Sequence, residues 1–119
     1  MKRSVADSAP FRTLDGSEIR ELLHPQHGGP ANQSLAEARV PPGATTLAHH
    51  HVLSEEISHI LEGGGLMTLG SEQFDVSVGD SVLIPPGTSH CIHNPGNTTL
   101  RFLCCCSPAY AHQDTVLEE

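Results

Sequence analysis

Turn-forming residues recur along this chain at intervals too short for ordinary helices. Asp15-Gly16, His27-Gly28-Gly29-Pro30, Pro41-Pro42-Gly43, Gly63-Gly64-Gly65, Gly70-Ser71, Gly79-Asp80, Pro85-Pro86-Gly87 and Asn94-Pro95-Gly96-Asn97 all read as turns. Between them lie short apolar or alternating runs at 19–23, 35–40, 45–51, 56–61, 66–69, 73–78, 81–84, 90–93 and 100–105. Runs of roughly four to eight residues with this punctuation predict an all-β sandwich or barrel. One segment competes: Ser34-Leu35-Ala36-Glu37 has the capping-box pattern and is followed by good helix formers. Pro41-Pro42 stops such a helix within two turns, so this segment is also assigned to a strand. The 119 residues allow one domain, with no repeat or linker dividing them. The expected organisation is a flexible tail at 1–10, a barrel at 11–110 and a C-terminal tail at 111–119, the last forming at most a helical turn.

Charge and composition exclude several partners. Fourteen acidic residues oppose six basic ones, a formal charge of −8. Lys2 and Arg3 sit at the N-terminus, leaving Arg12, Arg20, Arg39 and Arg101 in the domain. That is too little positive charge for a phosphate-tracking surface, and the four aromatic residues offer no base-stacking platform, so nucleic acid is not an expected partner. No apolar run approaches a membrane span, and no secretory signal follows Lys2-Arg3, so the expectation is a cytoplasmic protein with no membrane partner. The cysteines are Cys91, Cys104, Cys105 and Cys106. Consecutive residues bridge only with backbone strain, so they read as reduced thiols in a strand. Cys104 and Cys106 share a strand face, which leaves a metal site using both as a competing reading. No second pair with zinc-type spacing supports it.

Nine histidines outnumber the lysines and arginines together. The densest group, His49-His50-His51, lies in the middle of the chain. On a strand His49 and His51 share one face and His50 the other. Glu56 opens the next run and can return to the same interior, while Pro85-Pro86-Gly87 delivers His90 to the start of a strand. Three imidazoles and a carboxylate suit one divalent transition ion, Fe, Mn, Ni, Co or Zn, with two positions open on an octahedral ion. Taken singly, each histidine reads more often as a satisfied polar group in a β domain.

The combined spacing resembles the cupin superfamily. Gly43 to Gly63 fits the first cupin motif, G-x5-H-x-H-x4-E-x6-G, and Gly79 to Asn94 fits the second, G-x5-P-x-G-x2-H-x3-N. The short spacer at 64–78 is similar to that of small single-domain members. The resemblance implies a jelly-roll barrel, the double-stranded β-helix, of six to eight strands. It also implies His49, His51, Glu56 and His90 as metal ligands, with Glu56 rather than Glu55 meeting the motif. Where many cupins carry bulky aromatics after Glu-Glu-Ile, this chain has Ser58 and His59. Strand parity directs Ser58 inward, to enlarge the pocket or hydrogen-bond a ligand, and His59 outward. His50 and His93 also point outward, His24 and His27 are expected at the surface, and Asn94 is expected to close a turn.

Two more residues are pocket candidates. Glu37 is the candidate second carboxylate if its strand turns it inward, and Arg101 reads as either an anion contact or a solvated charge. The implied function is a metal-dependent enzyme, dioxygenase-like, acting on a small enol, diketone, hydroxy acid or carboxylate. The alternatives are a metal-dependent isomerase or lyase and a non-catalytic small-molecule binding module. Exposed strand edges on a small barrel, and the habit of small cupins, lead to the expectation of a homodimer.

Overall fold

The computed structural model describes residues 1–118. Among these, eleven strands form: β1 (Phe11–Arg12), β2 (Glu18–Leu23), β3 (Ser34–Val40), β4 (His49–His51), β5 (Glu55–Glu62), β6 (Gly64–Leu69), β7 (Glu72–Ser77), β8 (Ser81–Ile84), β9 (His90–His93), β10 (Leu100–Ser107) and β11 (Thr115–Leu117). They make two antiparallel sheets, ordered β1-β2-β3-β10-β5-β8 and β11-β4-β9-β6-β7. The protein is therefore an all-β jelly-roll of two sheets, a single domain. Eleven strands exceed the six to eight expected, in part because both termini add one.

Alternation along each strand sorts side chains between the interior and the outer faces. At one end of the interior Ala38, Val40, Ile60, Met67, Val82, Ile84, Ile92, Leu100 and Phe102 form a continuous apolar core. The capping-box segment is strand β3, because its tertiary pairings override local helix preference: it lies between β2 and β10, in register with β10 from Leu100↔Val40 to Cys106↔Ser34. Gly63 ends the first motif for a backbone reason. Its φ is +77°, and a Cβ there would come within 2.9 Å of the Thr99 carbonyl oxygen. The same region holds the register shift between Arg101 and Phe102 where β10 pairs with β5.

Several boundaries differ from the sequence reading. Only His49–His51 of the expected 45–51 run is strand, with Thr45 making an isolated bridge to His93. Gly64 and Gly65 lie inside β6, so the turn is confined to Gly63. The N-terminal segment contains a 3-10 turn at Val5–Asp7, and the buried Ser8 hydroxyl donates to the Glu21 carbonyl at 2.6 Å. The C-terminal segment forms a 3-10 turn at His112–Asp114 and then β11, which pairs with β4. Asn94 closes its turn as expected, and it is buried: its amide donates to the Val40 and Thr98 carbonyls at 3.0 and 2.8 Å and its side-chain oxygen accepts from Gly96 N–H at 3.0 Å.

Candidate metal centre and its pocket

The other end of the interior is polar. His49 and His51 on β4 and His90 on β9 come from one sheet, with His49 and His90 directly paired. Glu56 and Ser58 on β5 and Cys104 and Cys106 on β10 face them from the other sheet. One ring nitrogen from each histidine lies within 4.8 Å of the others, and all three rings are buried. Glu56 Oε1 is 3.2 Å from His51 Nε2.

Hydrogen bonding fixes which nitrogen each ring presents. The Nδ1–H of His49 donates to the Leu47 carbonyl (3.0 Å) and that of His90 to the Thr88 carbonyl (3.1 Å). His51 Nδ1–H donates to Thr115 Oγ1 (3.0 Å), whose own hydrogen goes to the Ala111 carbonyl (3.0 Å). With Nδ1 donating on all three, Nε2 is the nitrogen each ring turns inward. His24 makes the instructive contrast. It is also buried, a correction to its expected surface position, yet its Nε2–H donates to the Tyr110 carbonyl (2.8 Å) and its Nδ1 accepts from Gln26 N–H (3.1 Å). His24 is satisfied at both nitrogens by its own surroundings, whereas the three converging rings each turn Nε2 to a shared centre.

That donor set fits a cation. Without a metal, a proton joins His51 Nε2 to Glu56 Oε1 in a hydrogen bond, and a divalent cation would take that proton's place. Burial alone would raise the Glu56 carboxyl, but the His51 hydrogen bond, the nearby His90 and His51 charge and the Ser58 hydroxyl outweigh it and hold the pKa at about 2. Burial lowers the His90 pKa, against the pull of Glu56. The acid is therefore ionised, and burial disfavours the His90 cation, both in the direction a metal needs. The Ser58 hydroxyl donates to Glu56 Oε2 at 3.0 Å and the Cys106 thiol to Oε1 at 3.8 Å, so both carboxylate oxygens are engaged. Burial, followed by the Glu56 charge, pushes both the Cys104 and Cys106 thiols up.

The centre opens into a pocket of about 70 Å³, whose apolar lining includes Met67, Ile84, Ile92 and Phe102. That is room for about five waters. Its lining and surroundings hold groups that motif spacing did not reveal. Asp15 Oδ2 lies 3.9 Å from His49 Nδ1, while Oδ1 accepts from Ser17 N–H (2.9 Å) and Ser17 Oγ (2.6 Å). Tyr110 stands edge-on to His51 with ring centroids 5.7 Å apart, and its hydroxyl pairs with Thr13 and His112, each at 3.0 Å. Burial raises the Tyr110 phenol, against the Thr13 hydrogen bond. Asp114 braces the loop joining β4 to β5: its carboxylate accepts from Leu53 and Ser54 N–H at 2.8 and 2.9 Å. Burial opposes the Asp114 charge, but these backbone donors outweigh it and lower its pKa.

Glu37 and Arg101 are corrected. On β3 it is Ser34, Ala36 and Ala38 that line the pocket, so Glu37 lies on the outer sheet face. There it pairs with Arg39 (2.7 Å), Arg101 (3.3 Å) and Arg20 (3.9 Å), a buried acid surrounded by three guanidinium groups. Arg101 binds this acid rather than a pocket anion. His59 pairs outward with Ser81 (2.8 Å), His93 with Thr45 (2.7 Å) and His50 with Glu118 (2.6 Å).

Two antiparallel sheets closing around three histidines and a glutamate define a jelly-roll protein with a candidate metal centre. The family model for the cupin domain matches residues 36–106, and the chain belongs to that family. It is 56% identical to an uncharacterized protein of Methanocaldococcus jannaschii over 92% of this chain and 88% of that one. It is 37% identical to the oxalate-binding protein of Thermotoga maritima over 72% of this chain and 71% of the relative. The crystal structure of a predicted oxalate decarboxylase from Thermotoga maritima superposes with a TM-score of 0.78 at 28% identity, covering 91% and 99% of the two chains.

Proposed function

We propose that the protein is a metal-dependent enzyme of dioxygenase type acting on a small, uncharged enol or diketone. The carrying observation is the convergence of one nitrogen from each of three buried histidines, with Glu56 against His51, in the lining of an open, largely apolar pocket. His49, His51, His90 and Glu56 would hold one divalent transition ion. When bound, that ion supplies Lewis acidity toward a substrate oxygen and, as iron, dioxygen activation. Ser58 and Cys106 hold the Glu56 carboxylate in place, and the apolar floor keeps water from the substrate's carbon skeleton.

Charge argues for a neutral substrate. None of the described pocket-lining residues is Lys or Arg, while Asp15, Glu21 and Glu56 all border it. The oxalate-binding relative makes a small dicarboxylate the natural rival, but here only the metal would balance such an anion. A proton-transfer reading, isomerase or lyase, draws support from Asp15, whose Oδ2 accepts no hydrogen bond among the described residues and could take a proton from a substrate carbon. We place the protein in a reducing cytoplasm, in keeping with its free thiols. We also propose a homodimer that covers the outer row Leu35, Cys105, Ile57 and Leu83, flanked by Arg and Glu of both signs that complement each other across a two-fold axis.

Elemental analysis of tag-free wild-type and His51→Ala protein tests the centre. About one transition ion per chain, lost in the variant, is expected; no metal in either defeats the reading. With the metal-loaded protein, 2,4-pentanedione should disappear with matching oxygen uptake. Conversion that continues without oxygen transfers the assignment to proton transfer.

A further inference from the structure

Three acids line the pocket, Asp15, Glu21 and Glu56, and they differ in what their oxygens meet. Glu56 is engaged at both oxygens by Ser58, Cys106 and His51. Glu21 turns to other histidines, with Oε1 3.2 Å from His27 Nε2 and Oε2 3.9 Å from His24 Nε2. Asp15 lies in the turn joining β1 to β2, where Oδ1 takes both Ser17 donors and Oδ2 accepts no hydrogen bond among the described residues. Oδ2 stands 3.9 Å from His49 Nδ1, and the Asp15 side chain is only 16% exposed. Backbone bonds fix the pair. The Asp15 carbonyl accepts from Leu47 N–H at 2.7 Å, and the Leu47 carbonyl accepts from His49 Nδ1–H at 3.0 Å. A turn of the six-stranded sheet is thus tied to β4 of the other sheet, with its carboxylate beside one of the three converging rings.

We propose that Asp15 is a positioning residue of the metal centre, acting through His49 and supplying the second negative charge that balances a divalent ion. This rests on the metal-centre reading given above. As ligands the three imidazoles are neutral, so Glu56 alone leaves one positive charge on such an ion, and Asp15 cancels it. A cation on Nε2 draws electron density from the ring and makes its Nδ1–H side more positive. A carboxylate 3.9 Å away, with little water between, stabilises that charge and strengthens the ring as a donor. The competing account has Asp15 merely shaping its own turn through Ser17, as aspartate often does. It employs Oδ1 and gives no reason for the largely buried Oδ2 to stand beside His49.

Zinc added to the full-length protein distinguishes them, with affinity measured by competition titration and His49 Nδ1 followed by nitrogen-15 NMR of the zinc-loaded protein. Asp15→Asn keeps the shape and removes the charge, and Asp15→Ser keeps a turn-forming acceptor without charge, so one serves if the other misfolds. Both are expected to bind one zinc about tenfold more weakly and to shift the His49 Nδ1 resonance, with those of His51 and His90 little moved. Ser17→Ala, which removes a turn bond and leaves the charge, is expected to bind zinc as the wild type does. Unchanged zinc affinity in the Asp15 variants overturns the proposal and leaves Asp15 to the proton-transfer reading. An affinity loss without movement of the His49 resonance, or an equal loss in Ser17→Ala, also overturns it and leaves the metal centre standing. No zinc bound by the wild type overturns both the role of Asp15 and the centre beneath it.

Discussion

Along β10 the inward side chains pass from Leu100 and Phe102 to Cys104 and Cys106, and along β5 from Ile60 through Ser58 to Glu56. The same two strands therefore build an apolar end and a polar end of one interior. The apolar end is held by contact area, which is non-directional and tolerates changes that keep volume. The polar end is held by single directed bonds: Thr115 to His51, Ser58 to Glu56, backbone carbonyls to His49 and His90. The difference teaches that one small barrel can assign packing and a candidate metal centre to different positions on shared strands.

The largest expected effect is at the apolar end. Leu100→Ala should cost about 2–5 kcal/mol in denaturant unfolding, because Leu100 is fully buried and its removal leaves a cavity. The native fraction should still bind metal as before; a collapse of affinity at modest stability cost would break the separation. Next comes Thr115→Val, which removes the acceptor of the His51 Nδ1–H while keeping shape. Metal affinity by competition titration should fall about 10–100-fold, with thermal stability little changed.

Acid should act on the polar end of the metal-free protein. Folding lowers the pKa values of Glu56 and His90, so on acidification the unfolded chain takes up those protons first. Their contribution is full above the unfolded histidine value, near pH 6.5, and declines as the pH falls toward about 2, where Glu56 protonates. Urea midpoints measured across that range should fall steadily, and a flat profile would count against the buried, ionised Glu56. The smallest effect is expected outside the barrel. Arg101→Ala removes a half-exposed partner of Glu37, which keeps Arg39 and Arg20, so the loss should be about 1 kcal/mol or less, with metal affinity unchanged.

The four centre residues were readable because each lies near a local signal. Two-residue alternation puts His49 and His51 on one face, and the Pro85-Pro86-Gly87 turn times the arrival of His90. Glu37 misled because its face depends on which side of β3 meets the other sheet. The alternation of Ala36, Ala38 and Val40 was the available sign that the interior took the small apolar set. Asp15, Tyr110, Asp114 and Thr115 carried no spacing signal at all. They reach the site from the two ends of the chain, as in the bond between Thr13 and Tyr110 and the one between Thr115 and His51.

The sequence by itself determined the all-β class, the family and the set of histidines that converge, since turn chemistry and strand parity are properties of neighbouring residues. The tertiary structure alone decided that the C-terminal segment is a working strand, that Glu37 and Arg101 face outward, and that Nε2 is the nitrogen each ring presents. Those depend on which surfaces pack together and which acceptors lie beyond them, and such contacts join residues far apart in the chain.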